Sequence, residues 1–266
     1  MKIIKVPGIN GLGKTERCRD SGDKIIEGLD EIRSSESGKI INKDLLNIEE
    51  IELDNNNLKD QNKKIYEASL RNFNEEDKVI FLGGDHSISY SLVKGFMDSN
   101  KERGREGCLI VFDAHADLME NMKEPTHEEW LRGVIEEGFP VKNILLIGVR
   151  NKDQAEIKYI EEKGIREVRV ERVNMDIEEV GDYITEFSFG KELYVSVDVD
   201  VLDPSFVKAT GYKEPGGLSV RELLYLIKRL NRLSNLKGVD IVEIQTNVEG
   251  SEESLKIGSK ILGEVL

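Results

Sequence analysis

Short apolar runs alternate with segments of helical spacing along the whole chain, and this alternation limits the fold more than any other feature. The runs are Ile3–Val6, Ile51–Leu53, Val79–Leu82, Leu109–Phe112, Ile144–Ile147, Val168–Val170, Leu193–Val197 and Val239–Ile244. They read as about eight strands, several of them apolar throughout, as strands covered on both faces are. Between most of them lie Lys24–Ile32, Asn62–Asn72, Ile88–Met97, Glu128–Glu137, Asp153–Lys163, Val220–Leu233 and Ser254–Leu266, where apolar residues recur at helical spacing. Strand–helix alternation of this kind predicts a mostly parallel sheet with helices on both faces. The polar stretch Asp54–Lys64 reads as a loop running into a helix.

A chain of 266 residues suits one large α/β domain or two small ones. We find no repeat and no Pro/Gly-rich linker. The net charge of −14 repels phosphate backbones and argues against general nucleic-acid binding. No stretch approaches the roughly 20 apolar residues that span a bilayer. Gly8 interrupts the first apolar run, so no signal-peptide core is present, and the expected location is the cytoplasm. The two cysteines, Cys18 and Cys108, suggest neither a disulfide framework nor a zinc site.

In a parallel sheet, ligands bind beyond the carboxyl ends of the strands. Three of these ends are rich in acid and imidazole. Val79–Leu82 leads into Gly83-Gly84-Asp85-His86-Ser87. Leu109–Phe112 leads into Asp113, His115 and Asp117, and Leu193–Val197 into Asp198, Asp200 and Asp203-Pro204. In extended backbone, residues i, i+2 and i+4 point to one side, so Asp113, His115 and Asp117 can converge. Carboxylates gathered at buried strand ends are costly unless paired or bound to a cation. Two of the chain's three histidines, His86 and His115, fall in these clusters, and His127 follows ten residues after Asp117. Imidazole mixed with many carboxylates favours Mn²⁺ or a similar divalent ion over a structural zinc site. The six residues His86, Asp113, His115, Asp117, Asp198 and Asp200 exceed what one catalytic ion with an open position takes. They suit two ions about 3.5–4 Å apart. Taken singly, each piece has a plainer explanation: a turn with a helix cap for Gly-Gly-Asp-His, a turn for Asp-Pro.

GGDHS, DAHAD and SVDVDVLDP together resemble the three metal motifs of the ureohydrolases, the family of arginase, agmatinase and formimidoylglutamase. Weaker marks are THEEWLR (126–132), IGVR (147–150), TGYKEPGGLS (210–219) and VDIVE (239–243). The resemblance covers nearly all of residues 1–266 and implies one domain of three-layer α/β/α architecture with an eight-stranded sheet. It implies a cofactor of two Mn²⁺ ions and assembly into a homotrimer or homohexamer. One ion would take His86, Asp113, Asp117 and Asp198, and the other Asp113, His115, Asp198 and Asp200, with Asp113 and Asp198 bridging. The implied reaction is hydrolysis of the C–N bond of a small cationic guanidino compound by metal-activated hydroxide. In it Asp117 orients the nucleophile, Glu243 pairs with the guanidinium and His127 shuttles a proton to the leaving amine.

The chain departs from the family pattern in three places. His127 is followed by Glu128 where the family has glycine. Glu128 either narrows the mouth, adds charge near a cationic substrate, or opens the next helix as an acidic first-turn residue. Gln245-Thr246 stands near where the family has Asn-Pro after its glutamate. Met119 occupies the position at which arginases hold the substrate's amino-acid end with asparagine, and a thioether cannot make those hydrogen bonds. Arginine is therefore disfavoured, and an agmatine-like substrate tolerating the apolar Leu118 and Met119 is expected. Guanidinobutyrate, formimidoylglutamate or a non-catalytic homologue are the alternatives. A deacetylase-like single-zinc site is opposed by the lack of a His-His pair.

One motif pulls elsewhere. Gly8, Gly13, Lys14 and Thr15 fit the phosphate-cradling pattern G-x-x-x-x-G-K-[ST]. That pattern needs a helix beginning at the Lys-Thr pair. The residues that follow, Glu16 to Asp23, are polar and include Gly22, and the clearer helix begins near Asp23 or Lys24. The stretch reads as a loop that either turns the chain or also forms a rim over the metal site.

Overall fold

The computed structural model describes residues 1–11 and 13–266. Among these the chain forms eight strands: β1 (Lys2–Lys5), β2 (Ile48–Glu50), β3 (Val79–Leu82), β4 (Gly107–Phe112), β5 (Ile144–Ile147), β6 (Arg166–Val168), β7 (Glu192–Asp198) and β8 (Leu236–Val242). Every neighbouring pair is parallel, in the order β2-β1-β3-β8-β7-β4-β5-β6.

The alternation of side chains along each strand divides the interior into two cores. Ile80, Leu82, Ile110, Phe112, Val195, Val197 and Ile241 face one side of the sheet. There they pack against α1 (Ser21–Gly28), α6 (Val170–Met175), α7 (Ile177–Ser188), α8 (Val220–Asn231) and α9 (Ser251–Val265). Val79, Phe81, Leu109, Val111 and Tyr194 face the other side. Their partners lie on α2 (Leu58–Glu75), α3 (Ile88–Glu102), α4 (Trp130–Glu136) and α5 (Gln154–Lys163). The result is the expected three-layer α/β/α arrangement. No helix among the described residues is long and apolar enough to cross a membrane.

Several boundaries differ from the sequence reading. The second strand is Ile48–Glu50, not Ile51–Leu53, because Ile48 is the residue in register with Ile3. As an edge strand it needs no apolar run, and its side chains are largely exposed. The sixth strand is Arg166–Val168 rather than Val168–Val170, since Val170 already opens α6. The helices α6 and α7 lie where the sequence reading assigned none. In α2, Asn57 accepts a hydrogen bond from Asp60 N and starts the helix at Leu58, so part of the presumed polar loop is helical. Likewise α1 begins at Ser21 and ends at Gly28, with Leu29–Glu31 continuing as a single 3₁₀ turn.

Candidate active site

The four central strands, β3, β8, β7 and β4, end beside one another. Gly83 and Gly84 follow β3 with φ of +94° and +77°, which glycine adopts freely. A Cβ on Gly84 would stand 2.5 Å from the Gly8 carbonyl oxygen, so the N-terminal loop lies directly on this turn. The turn delivers His86 to the sheet end, where its Nδ1 stands 2.9 Å from Asp113 Oδ2, 3.1 Å from Asp117 Oδ2 and 3.3 Å from Asp198 Oδ2. On the adjacent side His115 Nδ1 is 2.9 Å from Asp200 Oδ2 and 3.5 Å from Asp113 Oδ1.

Backbone amides hold one oxygen of three of these carboxylates and leave the other turned inward. His115 N donates to Asp113 Oδ1 at 2.6 Å, Asp200 N to Asp198 Oδ1 at 2.8 Å and Ala114 N to Asp200 Oδ1 at 3.0 Å. Two groupings able to hold a cation result: His86, Asp113 and Asp198, and Asp113, His115 and Asp200. Asp113 is common to both. Asp117 is held separately, by the indole N–H of Trp130.

The outward nitrogen of His86 fixes the role of the inward one. Ser196 gives its only proton to Asp240 Oδ1, 2.7 Å away. Its oxygen therefore accepts from His86 Nε2, at 2.9 Å. That leaves His86 Nδ1 facing carboxylate oxygens, and both Nδ1 and Asp113 Oδ2 are buried without a hydrogen-bond partner. A buried ring nitrogen facing buried carboxylate oxygens calls for a positive charge between them, either a proton or a metal ion. The donor set of imidazoles and carboxylates with outer hydrogen-bond partners fits divalent metal ions.

Titration directions report the same demand. Burial, then the Asp113 charge, pushes the Asp117 carboxyl up to about 7. Burial opposes ionisation of Asp113, yet His115 and His86 hold it well below the usual carboxylate range. Burial would lower His115, but hydrogen bonds to Asp113 and Asp200 raise it.

Beyond this cluster a cavity of about 350 Å³ opens, lined in part by His127, Glu243, Met119, Glu128 and Tyr212. His127 is 6% exposed, and both of its ring nitrogens lack a partner. Burial and the charges of His86 and His115 lower its pKa to about 4. Its ring lies 5.0 Å from that of Tyr212. Glu243 directly follows β8 with φ of +65°, and Asp117 has φ of +53°. Each is a non-glycine residue in the left-handed region, at an expense of about 1–3 kcal/mol. Glu243 Oε1 accepts from His86 N at 2.9 Å, and Oε2 from the Cys18 thiol at 3.7 Å. Burial, then the neighbouring Asp85, pushes its carboxyl well up.

Glu128 lies outside α4, which begins at Trp130, so it is not a first-turn helix residue. It is Glu129 that binds the Thr126 amide and hydroxyl and shapes this turn. Leu118 is wholly buried, and its amide donates to Glu156 Oε1 at the start of α5. Of the remaining departures, Gln245 bonds the Lys14 carbonyl and Thr246 the Arg17 carbonyl, so both pin the N-terminal loop.

That loop is not shaped as a phosphate cradle. Thr15 and the Asn10 amide both donate to Asp85 Oδ2, at 2.7 and 2.8 Å. A 3₁₀ turn, Glu16–Cys18, follows instead of an α-helix, and Lys14 Nζ rests 4.5 Å above the Tyr212 ring. The loop reaches the rim through Lys14; Leu12 within it lies outside the described residues.

Trp130, Ser196, Asp240, Tyr212 and Arg150 all lie within the motifs quoted above, but sequence reasoning assigned none of them a role of its own. Arg150, in IGVR, donates to the carbonyls of Asp200 and Glu214 at 2.8 and 2.6 Å and ties the TGYKEPGGLS loop to the third acidic strand end.

An all-parallel α/β/α sheet whose central strand ends gather two imidazoles and four carboxylates defines a candidate binuclear metal centre. The sequence model of the arginase family matches residues 3–266, and the chain belongs to that family. It is 30% identical over 185 residues to N(1)-aminopropylagmatine ureohydrolase of Thermus thermophilus, covering 69% of this chain and 60% of that protein. Agmatinase of Bacillus subtilis is 30% identical over 188 residues, covering 70% of this chain and 61% of that one. The match thus spans about three fifths of the length of these relatives. Formimidoylglutamase of Bacillus subtilis superimposes with a TM-score of 0.88 at 22% identity, over 99% of this chain and 85% of that chain. The arginase of Bacillus cereus superimposes with a TM-score of 0.82 at 21% identity, over 99% and 96%. These structural likenesses concern the fold.

Proposed function

We propose that residues 1–266 act as one unit, a hydrolase that cleaves the C–N bond of an agmatine-like guanidino compound and releases urea. The observation that carries this reading is the buried, unpartnered pair His86 Nδ1 and Asp113 Oδ2 at the centre of the acidic cluster. His86, Asp113, Asp117, Asp198, Asp200 and His115 would hold two Mn²⁺ ions. Such ions, when bound, act as Lewis acids and lower the pKa of water towards neutrality.

The chain's own groups divide the remaining work. Asp117 accepts a hydrogen bond from the attacking water and aims it at the guanidinium carbon. Glu243, which lines the cavity, binds the guanidinium. His127, neutral at rest, takes up the proton that the attacking water releases and passes it to the departing amine as the C–N bond breaks. Met119 lines the cavity and offers no hydrogen bond to an α-amino acid, which speaks against arginine. We further infer a cytoplasmic homotrimer or homohexamer that needs neither nucleic acid nor membrane.

The test is urea release by Mn²⁺-loaded protein from agmatine, arginine, 4-guanidinobutyrate and formimidoylglutamate, with His127→Ala alongside. Agmatine is expected to be favoured, and the variant to lose about 10²–10⁴-fold in kcat. Faster release from arginine would overturn the substrate assignment, and an unaffected variant would remove His127 from the mechanism.

A further inference from the structure

We propose that Glu128 is a specificity-determining residue that binds a second, distal cation on the substrate. The substrate class is then a guanidino compound whose alkyl chain ends in an ammonium group. This rests on the guanidino reading above and deepens it.

Glu128 lines the cavity, yet no lysine or arginine among the described residues lies within 4.0 Å of its carboxylate. The one basic group near it is His127, whose Nε2 is 3.9 Å from Glu128 Oε1. His127 is itself buried with both nitrogens unpartnered, and the partly exposed Glu128 carboxylate beside it has no lysine or arginine among the described residues to pair with. The other carboxylates outside the metal cluster are committed. Asp153 caps α5, and Glu156 takes the amides of Leu118 and Asp153. Glu214 accepts from Asn151 at 2.7 Å. The cations of the rim are committed too. Lys152 is paired with Glu167 at 2.6 Å, and Lys14 lies over the Tyr212 ring outside the cavity lining.

The wall around Glu128 also matches a chain with an apolar stem and a cationic tip. Met119 N donates to the Glu128 carbonyl at 3.1 Å, so the thioether and the carboxylate stand on paired backbone in one wall. Glu128 N donates to Thr126 Oγ1 at 3.2 Å, which fixes the main chain on the other side. Methylenes along Met119 and an ammonium at Glu128 satisfy both residues, whereas a terminal carboxylate meets like charge.

The experiment compares three guanidines with Mn²⁺-loaded protein: 4-aminobutylguanidine (agmatine), pentylguanidine and 3-carboxypropylguanidine. Turnover and calorimetric binding are measured for the wild type, Glu128→Gln and Glu128→Asp. The wild type should favour the ammonium-tailed compound over the pentyl one by about tenfold in kcat/KM, as a charge-assisted hydrogen bond allows. Glu128→Gln should bring that ratio close to one through KM, leave the pentyl compound nearly unchanged, and be partly rescued by Glu128→Asp. An equal loss on all three compounds, an undiminished ammonium preference in Glu128→Gln, or a wild-type preference for the carboxylate tail overturns the proposal. If none is hydrolysed, the proposed reaction falls, and binding decides for Glu128. Ammonium-selective binding that disappears in Glu128→Gln upholds its role, and unselective binding refutes it.

Discussion

The indole N–H of Trp130 donates to Asp117 Oδ2 across 2.7 Å, and the Trp130 ring lies 4.7 Å from that of His86. One buried side chain thus braces two of the proposed metal ligands from behind. Trp130→Phe keeps an aromatic ring beside His86 and removes only the donor to Asp117. Loss of such an outer partner should weaken metal binding by roughly 10–100-fold. A titration of Mn²⁺ against a competing chelator checks this, and unchanged affinity would count against the proposed role of Asp117.

Metal binding should also be visible as stability. A cation bound only by the folded chain, at one hundred times its Kd, stabilises by about 2.7 kcal/mol. Thermal unfolding with saturating Mn²⁺ and with EDTA should separate clearly. The gap should shrink in His86→Ala, which removes the imidazole common to the Asp113, Asp117 and Asp198 contacts. Identical curves with and without metal would sink the assignment of the centre.

The N-terminal loop makes a different prediction from that of a nucleotide site. Thr15 is fully buried and its hydroxyl is spent on Asp85. Thr15→Val preserves shape and leaves the buried carboxylate one donor short, a loss of about 1–3 kcal/mol. Denaturant unfolding should show that loss, while millimolar ATP leaves the wild-type Tm where it was. An ATP-induced rise in Tm that depends on Lys14 would reverse the reading of this loop.

Acid should release a specific surface clamp. Hydrogen bonds from Lys228 and Arg221 lower the Glu36 carboxyl from 4.5 to about 2. A carboxyl whose folded pKa is depressed contributes stability above its unfolded value and loses it as pH falls through the folded one. Glu36→Gln should therefore be less stable than the wild type at pH 6. The difference should close between about pH 4.5 and 2. Unfolding measured for both proteins across that range tests it, and a constant difference would show that charge is not the cause.

The three acidic strand ends were legible because each apolar run stops abruptly at aspartate or at Gly-Gly-Asp-His. The outer support was not. Ser196 and Asp240 sit inside apolar runs of different strands, and only the parallel register that pairs them makes apparent the relay in which His86 donates to Ser196 and Ser196 to Asp240. Tyr212 reaches His127 from a loop more than eighty positions on, a proximity no local pattern encodes. The helices α6 and α7 did leave a trace, since Val173, Ile177, Val180, Ile184 and Phe187 recur at three- and four-residue steps and all pack on the first core. Asp176, which caps α7, and Gly181 interrupt that stripe. The edge strand β2 left almost none, because an exposed strand needs no apolar side chains.

The order β3-β8-β7-β4 brings together chain segments that leave the ribosome far apart in time. His86 and Asp113 are made early, but β7 with Asp198 ends more than eighty residues later, and β8 must then slot between β3 and β7 before Glu243 arrives. Closing such long loops is slow and gains nothing until the distant strands pair. A nascent or truncated chain ending before residue 192 can assemble neither grouping of ligands that includes Asp198 or Asp200. A metal ion held by these groupings therefore cannot template the early folding of this protein, and its uptake would report that the ends of β3, β4 and β7 have come together.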